Sequence, residues 1–199
     1  MLPCKANKQR FSVPNRKPPC CGTWKTTRYP LRDTAMFLLS VKAGLRAKEI
    51  ASLTWSMVTD AEGQVGDTLH LENRATKGQK GGRSIPLHPQ LRTALTALHE
   101  ARAAELEPWH PVIFSERGRG LSADSVQLWF HRLYSALGFA GCSSHSGRRT
   151  FITRAARKAS EAGGSLRDVQ QLAGHASLGM TQRYIEGDTD AKRKLVALI

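Results

Sequence analysis

With 199 residues, 40% of them apolar, the chain is long enough for one ordinary domain with a real core, or for one domain and a short arm. Thirty Lys and Arg against 16 Asp and Glu give a formal charge of +14, which points to a polyanionic partner, nucleic acid ahead of an anionic membrane surface. No run approaches the ~18 apolar residues of a membrane span, and Met1-Leu2-Pro3-Cys4-Lys5 does not open a secretory signal, so a cytoplasmic, nucleoid-associated protein is expected. The four cysteines, Cys4, Cys20, Cys21 and Cys142, suit a reducing compartment. Their spacing matches no C-x2-C pair, and no metal or other cofactor is expected.

Residues 1 to 32 hold Lys5, Lys8, Arg10, Arg16, Lys17, Lys25, Arg28 and Arg32 and no acidic residue. Five prolines interrupt the same stretch, so residues 1–30 read as a basic arm, flexible alone and able to order on DNA, or as a disordered tail. From Leu31 an apolar stripe through Ala35, Leu38 and Leu39 predicts a helix that stops at Gly44. A short helix is expected from about Arg46 to Ser52, closed by Trp55. Leu69-His70-Leu71 and Arg83-Ser84-Ile85-Pro86-Leu87 alternate and flank the turn Lys77-Gly78-Gln79-Lys80-Gly81-Gly82, which predicts a β-hairpin.

Pro89 opens an amphipathic helix marked by Leu91, Leu95 and Leu98. Ser122 can cap the next, which carries Val126, Trp129, Phe130 and Leu133 and is stopped by Gly138. A helix from Gly147 to Lys158 follows, then one started by Ser165-Leu166-Arg167-Asp168 and ended by Gly174. A last helix is expected to hold Tyr184. The fold class is α+β: a mostly helical domain over residues 31–190 with one small antiparallel sheet.

Arg46 in Gly44-Leu45-Arg46-Ala47-Lys48-Glu49, Lys77 in the hairpin turn, and His145 and Arg148 in His145-Ser146-Gly147-Arg148 recur in a telling order. His175 after Leu172-Ala173-Gly174 and Tyr184 in Thr181-Gln182-Arg183-Tyr184 complete it. Together these residues resemble the tyrosine recombinases, the phage integrase family, over about residues 32 to 190. The resemblance implies a site-specific recombinase or integrase that breaks and rejoins duplex DNA through a 3′-phosphotyrosyl intermediate, without metal or ATP.

The chemistry suits those residue types. Phosphoryl transfer depends on fixed positive donors around the equatorial oxygens, and a guanidinium offers a planar, permanently charged fork. By resemblance Arg46 and Arg148 are the two clamps, Tyr184 the nucleophile and Lys77 the acid for the leaving 5′-oxygen, with Lys80 its competitor in the same turn. His145 is implied to hydrogen-bond phosphate and help accept the tyrosine proton, and His175 to donate to a phosphate oxygen. Glu49, one turn after Arg46, would orient an active-site arginine or histidine. Lys80, Arg83, Arg149 and Arg183 are the expected DNA contacts.

The family often has Leu inside His-x-x-Arg; Ser146-Gly147 stands here instead and is expected to loosen that helix start. Only some 30 residues precede the catalytic domain, so no amino-terminal core-binding domain is expected. Residues 191–199 form a tail that packs either on a neighbouring subunit or on its own domain. The resemblance also implies a homo-oligomer, a tetramer on two sites of double-stranded DNA, with accessory DNA-binding proteins. Alternatives are a catalytically silent or truncated DNA-binding module of the same fold, a type IB topoisomerase-like relaxing enzyme, and a basic RNA-associated protein.

Overall fold

A computed structural model describes residues 27–72, 82–184 and 197. Seven α-helices and a two-stranded sheet follow one another in these residues: α1 Pro30–Lys42, α2 Ala47–Ala51, β1 Thr68–Leu71, β2 Arg83–Pro86, α3 Pro89–Glu100, α4 Ala123–Ala136, α5 Ser144–Lys158, α6 Leu166–Ala173 and α7 Leu178–Gln182. Of the described residues, those expected to form a mostly helical domain with one antiparallel hairpin do so. Most of the expected arm, most of the tail, and the turn bearing Lys77 and Lys80 lie outside the described residues.

α1 packs on α3 and α5, and α2 on α4. Ala35, Met36 and Leu39 of α1, Leu45, Ile50, Leu53 and Trp55, Leu91 and Leu95 of α3 and Phe130 of α4 are all buried in one core. The sheet joins it by simple alternation. Leu69 pairs with Ile85 and Leu71 with Arg83, and Leu69, Leu71 and Ile85 are buried while His70 and Ser84 face out. A smaller cluster of Ile152, Val169 and Ala173 lies between α5 and α6, with Phe151, Ala155 and Tyr184 against it.

The helix ends are fixed by side chains. Ser122 Oγ accepts the Ser125 amide at 3.1 Å to start α4. At α6, Asp168 Oδ2 accepts the Ser165 amide at 2.7 Å, and Gly174 closes the helix at φ +60°.

Two boundaries differ from the sequence expectation. α5 begins at Ser144, not Gly147, because Ser146 Oγ reaches back to the Ser143 amide at 2.9 Å while Ser143 Oγ accepts from His145 N at 3.3 Å. That box adds almost a turn and tightens the start expected to be loose. Gly147 has a packing role: a Cβ there would run into Ser40 Oγ and lie 3.0 Å from Val41 Cγ1, so its absence lets α5 approach α1. At the other end, α7 stops at Gln182, and Tyr184 sits in the turn just beyond it.

Candidate active site

The site is organised by the end of α6. The last carbonyls of a helix have no partner inside it and carry the negative end of its dipole. Here three successive ones each take a different arginine. Leu172 O accepts from Arg83 Nε at 3.1 Å, Ala173 O from Arg148 Nη2 at 2.5 Å, and Gly174 O from Arg46 Nη2 at 3.5 Å. Arg46 comes from the link between α1 and α2, Arg83 from β2 and Arg148 from α5. Gly174 permits the convergence, since a Cβ there would stand 2.7 Å from Arg83 Nη1.

Three guanidinium groups so close need a counter-charge, and Glu49 supplies it. Its carboxylate is fully buried and accepts four hydrogen bonds: from Arg46 N and Arg46 Nη1, each at 2.8 Å, and from Arg83 Nη1 and Nη2 at 2.9 and 3.0 Å. Burial pushes the Glu49 carboxyl up, but the hydrogen bonds and charges of Arg83 and Arg46 outweigh it and hold it below the usual carboxylate range. Glu49 therefore does more than the i,i+3 helix pair visible in sequence. Arg83 forks onto it bidentately from 34 residues away.

Arg148 is 4% exposed and spans two backbone segments, giving Nη1 to Gly44 O and Nη2 to Ala173 O, both at 2.5 Å. Burial, then the charges of Arg46 and Arg83, pull its guanidinium down to about 10, so it stays charged at neutral pH. A guanidinium has five N–H donors, so both Arg148 and Arg46 keep some for a ligand.

His175 follows directly and is 8% exposed. Its amide donates to Gln170 O at 3.1 Å, and its carbonyl accepts from Gln170 Nε2 at 3.0 Å. Burial first, then Arg148, Arg46 and Arg83, drive its imidazole down to about 4, leaving it neutral at physiological pH. The Tyr184 ring stacks on it, with centroids 5.7 Å apart and planes at 21°. Tyr184 rests on the apolar cluster between α5 and α6 and is half-buried.

The structure thus brings Arg46, Glu49, Arg148, His175 and Tyr184 together around one helix end. His145 is exposed on the first turn of α5, three residues before Arg148, with Nδ1 3.5 Å from Ser144 Oγ. Arg149 is half-buried on α5, and Arg183 is exposed just after α7. Lys77 and Lys80 lie outside the described residues. Arg83, expected on the DNA surface, has a side chain only 9% exposed and is turned onto Glu49. Its inward direction was readable: period-two alternation puts it on the face of Ile85. The remaining member, Thr181, is fully buried with Oγ1 2.9 Å from His175 Nδ1, and nothing in its local sequence marks it.

A mostly helical domain with a short hairpin, and an arginine-lined helix end beside a stacked tyrosine, define a class known from sequence families. Residues 22–190 match the model of the phage integrase family, and the chain belongs to that family. It is 32% identical over 163 residues to tyrosine recombinase XerC of Nitrobacter winogradskyi, a match covering 80% of this chain and 47% of that protein. The chain spans about half the length of the curated relatives it matches. The same fold occurs in the crystal structure of XerA recombinase, at TM-score 0.69 and 19% identity over 95% of this chain and 66% of that one. It also occurs in the Tn1549 transposon integrase in complex with transposon right end DNA, at TM-score 0.67 and 21% identity over 96% and 67%.

Proposed function

We propose that this chain is the catalytic part of a site-specific DNA recombinase, cutting and rejoining duplex DNA through Tyr184. The observation that carries the reading is the convergence of Arg46, Arg148, His175 and Tyr184, from separate places in the sequence, on the end of α6. Arg46, Arg83 and Arg148 against Glu49 leave an excess of positive charge beside a phenol, which is what an attacked phosphodiester requires.

In this reading a phosphate oxygen takes the unused donors of Arg46 and Arg148, and His175 adds a neutral one. The Tyr184 phenolate oxygen forms a bond to phosphorus as the bond to the 5′-oxygen breaks, leaving a 3′-phosphotyrosyl linkage and a 5′-hydroxyl. The tyrosine proton passes to His145 or to water, and Lys77 gives one to the leaving oxygen. Reversal by a 5′-hydroxyl from another duplex completes exchange. The bond energy is held in the covalent link, so no nucleotide is needed. Double-stranded DNA is the substrate, and a homo-tetramer on two sites, with accessory DNA-binding proteins, is the assembly that exchange calls for. Arg149 and Arg183 serve the DNA backbone, whereas Arg83 acts indirectly by fixing Glu49.

The test is a covalent-adduct assay on nicked duplexes carrying the DNA that flanks the gene, in EDTA, quenched in SDS and run before and after protease. A protease-sensitive adduct in wild type that is absent in Tyr184→Phe is expected. A salt-sensitive gel shift without any adduct would instead mark a DNA-binding module of this fold. Cleavage followed by rejoining only to the same duplex would mark a relaxing enzyme.

A further inference from the structure

Thr181 is fully buried in α7, yet nothing in the chemistry above uses it. A helical threonine often turns its hydroxyl back to the carbonyl four residues earlier. Here that carbonyl, Ser177 O, accepts the Met180 amide at 3.2 Å, and Thr181 Oγ1 goes to His175 Nδ1 at 2.9 Å. The Thr181 carbonyl meanwhile accepts the Tyr184 amide at 3.0 Å. One residue therefore holds the imidazole through its side chain and the tyrosine through its backbone.

The direction of the 2.9 Å bond follows from counting hydrogens. The hydroxyl has one hydrogen, and among the described residues its only hydrogen-bond partner is His175 Nδ1. If Nδ1 carried a proton and donated it, the hydroxyl hydrogen would be left without an acceptor at a fully buried position. Donation from Thr181 to Nδ1 satisfies both groups and places the imidazole proton on Nε2. The positive charges of Arg148, Arg46 and Arg83 and the burial of the ring keep a second proton off it.

We infer that Thr181 is a positioning residue that locks His175 as a neutral Nε2–H donor to the phosphate and bars it from serving as the base for Tyr184. The inference rests on the recombinase reading for its phosphate, but the lock itself is a property of the free protein. It also assigns proton acceptance from Tyr184 to some group other than His175.

Two measurements test it. Ring-nitrogen shifts of the 15N-labelled chain without DNA report the tautomer, and His175→Gln identifies the His175 signals by their loss. Wild type and Thr181→Ser should show Nε2–H at pH 7, and Thr181→Val a mixture. An Nδ1–H tautomer in the wild type overturns the inference. In the adduct assay Thr181→Val should cut about 10–100-fold more slowly, the range seen when a group orienting a ligating imidazole is lost, with DNA affinity unchanged and the rate restored by Thr181→Ser. Equal rates for wild type and Thr181→Val overturn the positioning role. Wild type that shows the Nε2–H tautomer but forms no adduct would sink the recombinase reading and leave the lock standing. Should Thr181→Val fail to fold, the wild-type and Thr181→Ser spectra still decide.

Discussion

Replacing Glu49 by Gln is the sharpest probe of how this site is held. The side chain keeps its shape, but the negative charge that Arg46 and Arg83 bond is gone. Four donors now converge on the carboxylate; an amide oxygen can serve at most two of them, and its NH₂ must face a guanidinium. Removing one partner of a buried ion pair typically destabilises by about 3–5 kcal/mol. In a domain of this size each kcal/mol lowers Tm by about 2–4 °C, so a fall of roughly 6–20 °C is expected. The pH dependence carries the sign. Because the Glu49 carboxyl is held below its ordinary range, its stabilisation is complete above the unfolded value and is lost as pH falls through the depressed folded one. Thermal unfolding followed by circular dichroism should show a constant gap between wild type and Glu49→Gln from about pH 7 to pH 5, narrowing as pH falls below the ordinary carboxylate value of 4.5. A Tm change under about 3 °C at neutral pH, or a gap indifferent to acid, would refute the buried counter-charge.

Three further outcomes are expected. Gly147→Ala should destabilise by about 1–3 kcal/mol in denaturant unfolding, because its Cβ meets Ser40 and Val41 and α5 must back away from α1. Arg148→Lys should lose both stability and the adduct, the latter by about 10²–10³ in rate: an ammonium cannot fork onto Gly44 O and Ala173 O together, so unfolding and cleavage assays should both report the change. For His175, whose imidazole is held near 4, the unfolded chain takes up the proton first. Stability should therefore fall as pH drops from its ordinary 6.5 toward about 4, and urea titrations of His175→Gln should be flatter across that window.

Much of this was legible in the sequence, for local reasons. Pro89, Ser122, Gly138, Ser165 with Asp168, and Gly174 act on their own backbone neighbours, so they mark helix ends without any tertiary knowledge. The alternation of residues 69–71 and 83–87 fixed the hairpin in the same way. Arg46, His145, Arg148, His175 and Tyr184 stood out only by order and spacing, and the described fold draws four of them to one helix end. What escaped was non-local. For Arg83 the alternation marks the face but not the partner: in a chain with 30 basic residues nothing local singles out Glu49, 34 positions away. Gly147 looked like a weak point, since the α1 surface it accommodates is invisible in sequence. Thr181 gave no signal at all: its importance lies in one hydrogen bond whose partner is six residues off and across a loop.

The ring of arginines on the end of α6 also says something about when the site comes into being. The bonds to Leu172, Ala173 and Gly174 close loops of 89, 25 and 128 residues. Closures of 89 and 128 residues go unrewarded until the intervening elements have docked, so those two are expected to form late in folding. A half-folded chain would present Tyr184 with Arg148 but without Arg46 and Arg83 in place. On the proposed recombinase reading, the capacity to cut would thereby be tied to completion of the domain, and a nascent or damaged molecule would meet DNA as a basic polymer with an incomplete site.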